Sequence, residues 1–353
     1  MTLRTVLLGY GLAGRVFHAP LIGAESGFEL AAVVTGDPAR QEQVRADLPG
    51  VAVLQTADDA WAGDFDVAVI ATANSAHVPQ ATAALQAGMH AVVDKPLAGT
   101  AREAQALIDL AEACNRQLHV FQNRRWDSET LTARRVIADG SIGTPHRLES
   151  RFERWRPIPK GGWREDGPAE DLPGLLYDLG AHLVDQALHL LGPVVRVFAS
   201  ARAVRPDVTA DDDTQVVLEH VSGAVSILSV SAASAFPEPR LRLLGTGGGL
   251  LIQTLDTQED ALREGRDPRD PTWGTETDVA LLVTDVEPAR EIPRERGAWP
   301  SYYRGVARSI LGQGPPPVDP REVVADLRVI EAARDSAATG QAIVLDPPAS
   351  HIS

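Results

Sequence analysis

A glycine turn set directly behind a short apolar strand constrains this chain more than any other feature. Thr5 to Leu8 forms the apolar run, and Gly9-Tyr10-Gly11-Leu12-Ala13-Gly14 follows it at the start of a helical pattern. In such a G-x-G-x-x-G turn, Gly9 permits the tight reversal and Gly11 lets the backbone approach a pyrophosphate. Gly14 allows helix and strand to pack closely, and free amides at the helix start bind phosphate. A second strand at Leu30 to Thr35 completes the unit, so the pattern predicts a dinucleotide-binding site.

The same alternation continues. Val51 to Leu54, Asp66 to Thr72, His90 to Val93 and Leu118 to Gln122 read as further buried strands, rich in Val, Ile, Leu and Ala, with helical stretches between them. Six strands predict an α/β Rossmann domain, a doubly wound parallel sheet, over residues 1–123. Thr100 and Glu103 form a capping box for one of its helices, and a helix from Ser128 to Asp139 opens on a Ser cap, stops at Gly140 and bridges to the next domain.

At 353 residues the chain is long for one core, and its pattern changes after the bridge. From His146 the strands lengthen and alternate, with Leu148, Ser150 and Phe152 on one face. Thr214 to Glu219 and Ala224 to Ser231 flank a Ser222-Gly223 hairpin turn, and Arg240 to Leu244 and Leu250 to Gln253 flank the glycines at 245–249. Those glycines resemble a phosphate cradle but join two strands, so they read as a turn. Residues 124–353 are therefore expected to form an α+β domain with an open, mainly antiparallel sheet. Thr257 to Pro300 reads as surface loops around one strand at Val279 to Val283, and Arg321 to Ala338 as an amphipathic helix.

A formal charge of -15 disfavours nucleic acid and anionic membrane as partners. Cys114 is the only cysteine, which excludes an intrachain disulfide and fits a reducing, cytoplasmic setting. No segment reaches the roughly 18 to 20 apolar residues of a membrane span, and no export signal is expected. The end of the second strand leaves the cofactor open between NAD and NADP. Thr35 stands at the usual acidic position, Asp37 lies two places on, and Arg40 is in reach of a phosphate.

Several further segments resemble the glucose-fructose oxidoreductase, inositol dehydrogenase and MocA family over essentially the whole chain. Ala71-Thr72-Ala73-Asn74 followed by His77 looks like that family's loop along the nicotinamide ribose. Asp94-Lys95-Pro96 matches its Glu-Lys-Pro signature with Asp for Glu, and Asp178-Leu179-Gly180-Ala181-His182 matches its Asp-x-Gly-x-His segment. Phe17-His18-Ala19-Pro20, Asn123-Arg124-Arg125-Trp126-Asp127 and Gly162-Trp163-Arg164-Glu165 look like the branch that contains NADP-dependent scyllo-inositol dehydrogenases. The resemblance implies Lys95, Asp178 and His182 as the catalytic group, with Arg125 and Tyr303 at the substrate. For the cofactor it implies Gly9, Gly11, Leu12, Ala13, Gly14, Thr35, Asp37, Ala71, Thr72, Asn74, His77, Asp94, Lys95, Gln122, Trp163 and Arg164. It also implies a cis Lys95-Pro96 bond, an active site in the cleft between the domains, and a homodimer or dimer of dimers joined through the second domain's sheet.

Oxidising a secondary alcohol needs a base for the hydroxyl proton beside the carbon that loses hydride. His182 suits that task, and Asp178, four residues earlier, would share a helical face with it and support the imidazole. Lys95 follows the fifth strand, where open α/β sheets bind ligands, and its ammonium can hold the substrate oxygen or carry the proton itself. The expected activity is hydride transfer between a nicotinamide cofactor and a sugar, inositol or related polyol. The alternatives are an imine or enone reductase and a non-catalytic NAD(P)-binding regulator. A metal reading of Asp178, His182, Asp185 and His189, spaced four, three and four, competes with this one, but nicotinamide chemistry needs no metal.

Overall fold

The computed structural model describes residues 2–236 and 238–346; the side chains of Trp163 and Glu170 lie outside that set. The chain divides into two compact units. The first gathers Met1–Trp126, Thr257–Gly274 and Ala298–Val324, and the second takes Asp127–Asp256, Thr275–Gly297 and the chain from Ala325. The boundary expected after residue 123 thus lies three residues before the break at 126/127, and two later segments return to the first unit.

In the first unit six parallel strands run β1 (Leu3–Leu8), β2 (Phe28–Val34), β3 (Ala52–Leu54), β4 (Val67–Ile70), β5 (His90–Val93) and β6 (Leu118–Val120). Their spatial order, β3-β2-β1-β4-β5-β6, reverses between β1 and β4 and is that of the doubly wound Rossmann sheet. The central strands are largely apolar because helices cover both faces: Val67 to Ile70 and Ala91 to Val93 are fully buried. Burying such a Val or Ile side chain contributes about 1.5–3 kcal/mol. The helix Ala101–Ala113 turns Ala104, Leu107, Ile108 and Ala111 inward, and its start is capped as expected by Thr100, whose hydroxyl accepts from Glu103 N.

The stretch 257–300 is not the loop region its polar composition predicts. Besides the expected strand, found at Val279–Thr284, it contains a helix, Gln258–Arg263, and a second strand, Arg290–Pro293, and Trp273 and Trp299 are buried. The reason is one amide: Gln258 accepts from Trp273 Nε1 (2.8 Å) and Trp299 N (2.8 Å) and donates to Trp126 O (3.1 Å). A single buried, fully engaged Gln organises three distant segments, which no local pattern announces.

Among the described residues the second unit holds nine strands: β7 (Pro145–Glu153), β8 (Val194–Arg202), β9 (Asp213–His220), β10 (Val225–Ser231), β11 (Leu241–Gly245), β12 (Gly248–Ile252), β13 (Val279–Thr284), β14 (Arg290–Pro293) and β15 (Ile343–Val344). They lie in the order β14-β13-β12-β11-β7-β10-β9-β8-β15. The sheet is mainly antiparallel, with one exception, since β7 and β10 pair in parallel. The glycine-rich turn joins β11 and β12 as a hairpin. Its glycines serve close packing, because a Cβ on Gly245 would stand 2.1 Å from Ile142 O and one on Gly248 2.1 Å from Val283 O.

The helix after the first unit spans Ser128–Ala138. Its cap residue is Asp127 rather than Ser128, whose hydroxyl instead donates to Glu295 O at 2.6 Å. Within this unit Glu129, fully buried, takes Arg240 Nε at 3.0 Å and an Arg294 amine at 3.2 Å. Arg240 also donates to Gln186 Oε1 at 3.0 Å and lies 4.1 Å above the Phe152 ring. This buried charge cluster ties the helix 128–138, the sheet and the helix Ala181–Leu191 into one body.

Candidate active site

The glycine turn has the shape that a pyrophosphate requires. Gly9 has φ +92°, and a Cβ there would meet Ala71 O at 2.5 Å; a Cβ on Gly14 would lie 2.0 Å from Gly9 O. At Gly11 the nearest atom to such a position is Arg40 NH1, 4.0 Å away, so the backbone is open to a ligand. These three glycines fit the cofactor. The turn leads into a π-helical segment, Ala13–His18, followed by a short α-helix, Ala19–Gly23. Its outer side is fastened by Asp47, which takes Arg15 Nε (2.6 Å) and the Tyr10 hydroxyl (3.2 Å). Leu12 is 43% exposed at the mouth of the turn.

At the end of β2, Thr35 is buried and its carbonyl accepts from Gln41 Nε2 at 2.9 Å. Asp37 caps the helix Pro38–Asp47, accepting from Ala39 N (2.9 Å) and Arg40 N (3.4 Å). Its carboxylate is therefore engaged, and the Arg40 guanidinium stands 3.6 Å from it beside Gly11.

After β4, Ala71 is buried and the Thr72 hydroxyl donates to Gln80 Oε1 at 2.8 Å. Asn74 begins the helix Asn74–Gln86 and is half-buried. His77 is 1% exposed and faces inward: Nδ1 lies 2.8 Å from Pro96 O and Nε2 3.3 Å from Thr72 O. Burial pushes its imidazole below the usual range despite both carbonyls. His77 thus braces the loop after β4 against the loop after β5.

The Lys95-Pro96 bond is cis. Lys95 is half-buried, and its backbone N donates to Asp94 Oδ1 at 2.7 Å. Burial pushes the Asp94 carboxyl up. His18, with Lys95 and His77 adding to it, outweighs burial and holds the group below the usual carboxylate range. Gln122 is buried at the end of β6. Arg125 is also buried and pairs with Glu322, and Tyr303 is 0% exposed with its hydroxyl 2.6 Å from His18 Nδ1. An aromatic core of Phe28, Phe121 and Tyr302 surrounds Tyr303, so its hydroxyl meets a protein partner.

In the second unit Asp178 and His182 lie where a π-helical turn, Leu176–Gly180, passes into the α-helix Ala181–Leu191. Asp178 lies 3.4 Å from Arg164 Nε. The Arg164 backbone carbonyl in turn accepts from Gly174 N at 3.0 Å, which fastens the segment Trp163–Asp166 to the loop that enters the π turn. Trp163 opens that short segment. His182 is 6% exposed, and its helix is held one turn on by Gln186, which donates to Thr130 Oγ1 at 2.8 Å. Asp185 is buried. Among the described residues no three His, Cys, Asp or Glu side chains gather as metal ligands do.

Sequence reasoning singled out His18 only as part of a motif. The signal was there in a lone histidine within an apolar helical turn beside the glycine turn. Asp47, the anchor of that turn, lies 33 residues after Gly14 and carries no local mark.

Fold and glycine turn together define a Rossmann-type dinucleotide-binding protein. Residues 3–122 match the oxidoreductase family with an NAD-binding Rossmann fold, and residues 130–251 match the GFO/IDH/MocA C-terminal domain. The chain is 32% identical to the scyllo-inositol 2-dehydrogenase (NADP(+)) IolW of Bacillus subtilis, over 98% of this chain and 96% of that protein. It is 35% identical to the uncharacterized oxidoreductase YdgJ of Escherichia coli, over 95% and 96%. Among solved structures, the oxidoreductase yvaA from Bacillus subtilis superposes with a TM-score of 0.92 at 32% identity, covering 98% of this chain and 99% of that one. The chain belongs to the glucose-fructose oxidoreductase, inositol dehydrogenase and MocA family. No helix among the described residues is long and apolar enough to cross a membrane.

Proposed function

We propose that this enzyme transfers a hydride between NADP(H) and a secondary alcohol or carbonyl of an inositol, sugar or related polyol. The observation that carries the reading is the near full-length similarity to a scyllo-inositol 2-dehydrogenase, together with Lys95, Asp178 and His182 standing at the family's signature positions. The bound nicotinamide supplies the hydride acceptor or donor. Lys95 holds the substrate oxygen through its ammonium and stabilises negative charge there, while His182 takes or returns the hydroxyl proton and Asp178 supports the imidazole. Arg164, beside Asp178, orders that carboxylate.

Support for NADP(H) over NAD(H) comes from the end of β2. An NAD site uses a carboxylate to hold the ribose hydroxyls, but position 35 is Thr and Asp37 is occupied as a helix cap. Arg40 instead presents a guanidinium beside Gly11, suited to a 2′-phosphate. A homo-oligomer, joined through the second unit's sheet, is supported by Phe198 on β8 and Val279 and Val283 on β13, all large apolar residues that stand exposed. Cys114 as the only cysteine supports a cytoplasmic location.

The test is a coupled absorbance screen with each nicotinamide cofactor against inositols, aldoses and their lactones, followed by Lys95→Ala and His182→Ala. Each variant should lose turnover by orders of magnitude and keep its cofactor affinity. Near-normal turnover in both refutes the roles, and cofactor binding without turnover of any alcohol, imine or enone points to a regulator.

A further inference from the structure

We propose that Tyr303 and His18 are positioning residues for Lys95, acting through Asp94 as a buried chain of oriented polar groups. The proposal rests on the reading of Lys95 as the group that holds the substrate oxygen. His18 is fully buried at the end of the π-helical segment that follows the glycine turn. A buried imidazole has two ring nitrogens to place, and what each one faces sets the tautomer. Nδ1 lies 2.6 Å from the Tyr303 hydroxyl. Nε2 faces Asp94 Oδ2 at 3.7 Å, beyond hydrogen-bond length, and has no hydrogen-bond partner among the described residues. The second Asp94 oxygen accepts from the Lys95 backbone N at 2.7 Å.

The direction of the chain follows from Asp94. A carboxylate only accepts, so the ring nitrogen that faces it, Nε2, carries the proton, which leaves Nδ1 to accept from the Tyr303 hydroxyl. The Tyr303 phenol is fully buried, and burial first, then Tyr302 and Asp94, push its ionisation well above the usual range, so the proton it donates stays on the hydroxyl. Asp94 is then fastened by the Lys95 backbone N–H and faced by His18, while His77 lies against the Pro96 carbonyl. The titratable groups that face Asp94 are His18, Lys95, His77, Tyr302 and Tyr303. None of the chain's links uses the glycine turn's amides, so the chain acts on where Lys95 stands rather than on the turn's hold on the pyrophosphate.

Two substitutions separate this arrangement from simple packing. Tyr303→Phe keeps the ring against Phe28 and Phe121 and removes only the donor to Nδ1. In free protein carrying ¹⁵N-labelled histidine, His18 should read as the Nε2-protonated tautomer in the native chain and as a tautomer mixture in Tyr303→Phe. Turnover should fall more than cofactor affinity, and its acid limb should move to higher pH. The sign follows from Asp94: its carboxyl is held low in the native protein, so weaker support from His18 lets it take a proton at higher pH. His18→Gln can accept from Tyr303 and donate toward Asp94, whereas His18→Leu can do neither. Gln should therefore retain most of the turnover that Leu loses, about tenfold or more.

An Nδ1-protonated His18 in the native chain, an unchanged His18 signal in Tyr303→Phe, or equal turnover in the Gln and Leu variants overturns the proposal. The ring signals are read without substrate. Failure of every polyol in the screen, with the tautomer shift present, therefore strikes the functional reading and supports the chain of contacts.

Discussion

Gly14→Ala tests the cofactor turn through a single methyl group. The new Cβ would stand 2.0 Å from Gly9 O and 3.0 Å from Gly9 C, and carbon–oxygen contacts need more than about 3 Å, so one side must retreat by roughly 1 Å. Neither side is soft. Gly9 N is bonded to Val34 O at 3.0 Å, and the segment beginning at Gly14 is packed through the fully buried His18, Leu21 and Ile22. Overpacking of this kind costs about 1–3 kcal/mol, and because the displaced carbonyl belongs to the turn, cofactor affinity should weaken by about 5- to 150-fold. Gly23→Ala is the internal control. Gly23 ends the next helix with nothing within 4 Å, so Ala there should be neutral or stabilising by up to about 1 kcal/mol. The assay is calorimetric titration with NADPH beside thermal melting of both variants. Native affinity and melting temperature in Gly14→Ala would refute the close-approach argument.

The remaining predictions concern charge. Arg40→Ala should weaken NADP(H) binding by about tenfold or more and leave NAD(H) nearly unchanged, as Kd values for both cofactors would show; equal losses would sink the 2′-phosphate assignment. Glu129→Ala removes the carboxylate between Arg240 and Arg294 and should destabilise the protein by about 3–5 kcal/mol in denaturant titration. A change under about 1 kcal/mol would mean that the cluster contributes little. Burial pushes His119 down to about 3, so the unfolded chain binds the extra proton between that value and about 6.5. Its stabilising contribution is complete above pH 6.5 and falls by about 1.4 kcal/mol per pH unit as acid is added. His119→Gln should flatten that slope between pH 6.5 and 4.5, and an unchanged slope contradicts the assignment.

Much of the first unit is readable along the chain because its signals are local. The strand at His90–Val93 is recognised from apolar residues, the glycine turn from six consecutive positions, and the hairpin at Ser222-Gly223 from its turn chemistry. The second unit is less legible where pairing is remote. The parallel pair β7–β10 joins segments about 80 residues apart, and the burial of Glu149 beside Arg151 and Arg242 defeats the simple inside–outside alternation of β7.

Side-chain roles divide in the same way. Gly9, Gly11 and Gly14 owe their part to backbone shape, which neighbouring residues specify, and the chemistry expected of Lys95, Asp178 and His182 follows from residue type and motif. Folding set the rest through contacts of long sequence separation. It spent Asp37 on a helix cap, turned Tyr303 away from solvent onto His18 across 285 residues, and let Gln258 bury two tryptophans in a stretch of polar composition. A buried polar atom must find its partner wherever the packed chain brings one, and no periodicity in the sequence records that distance.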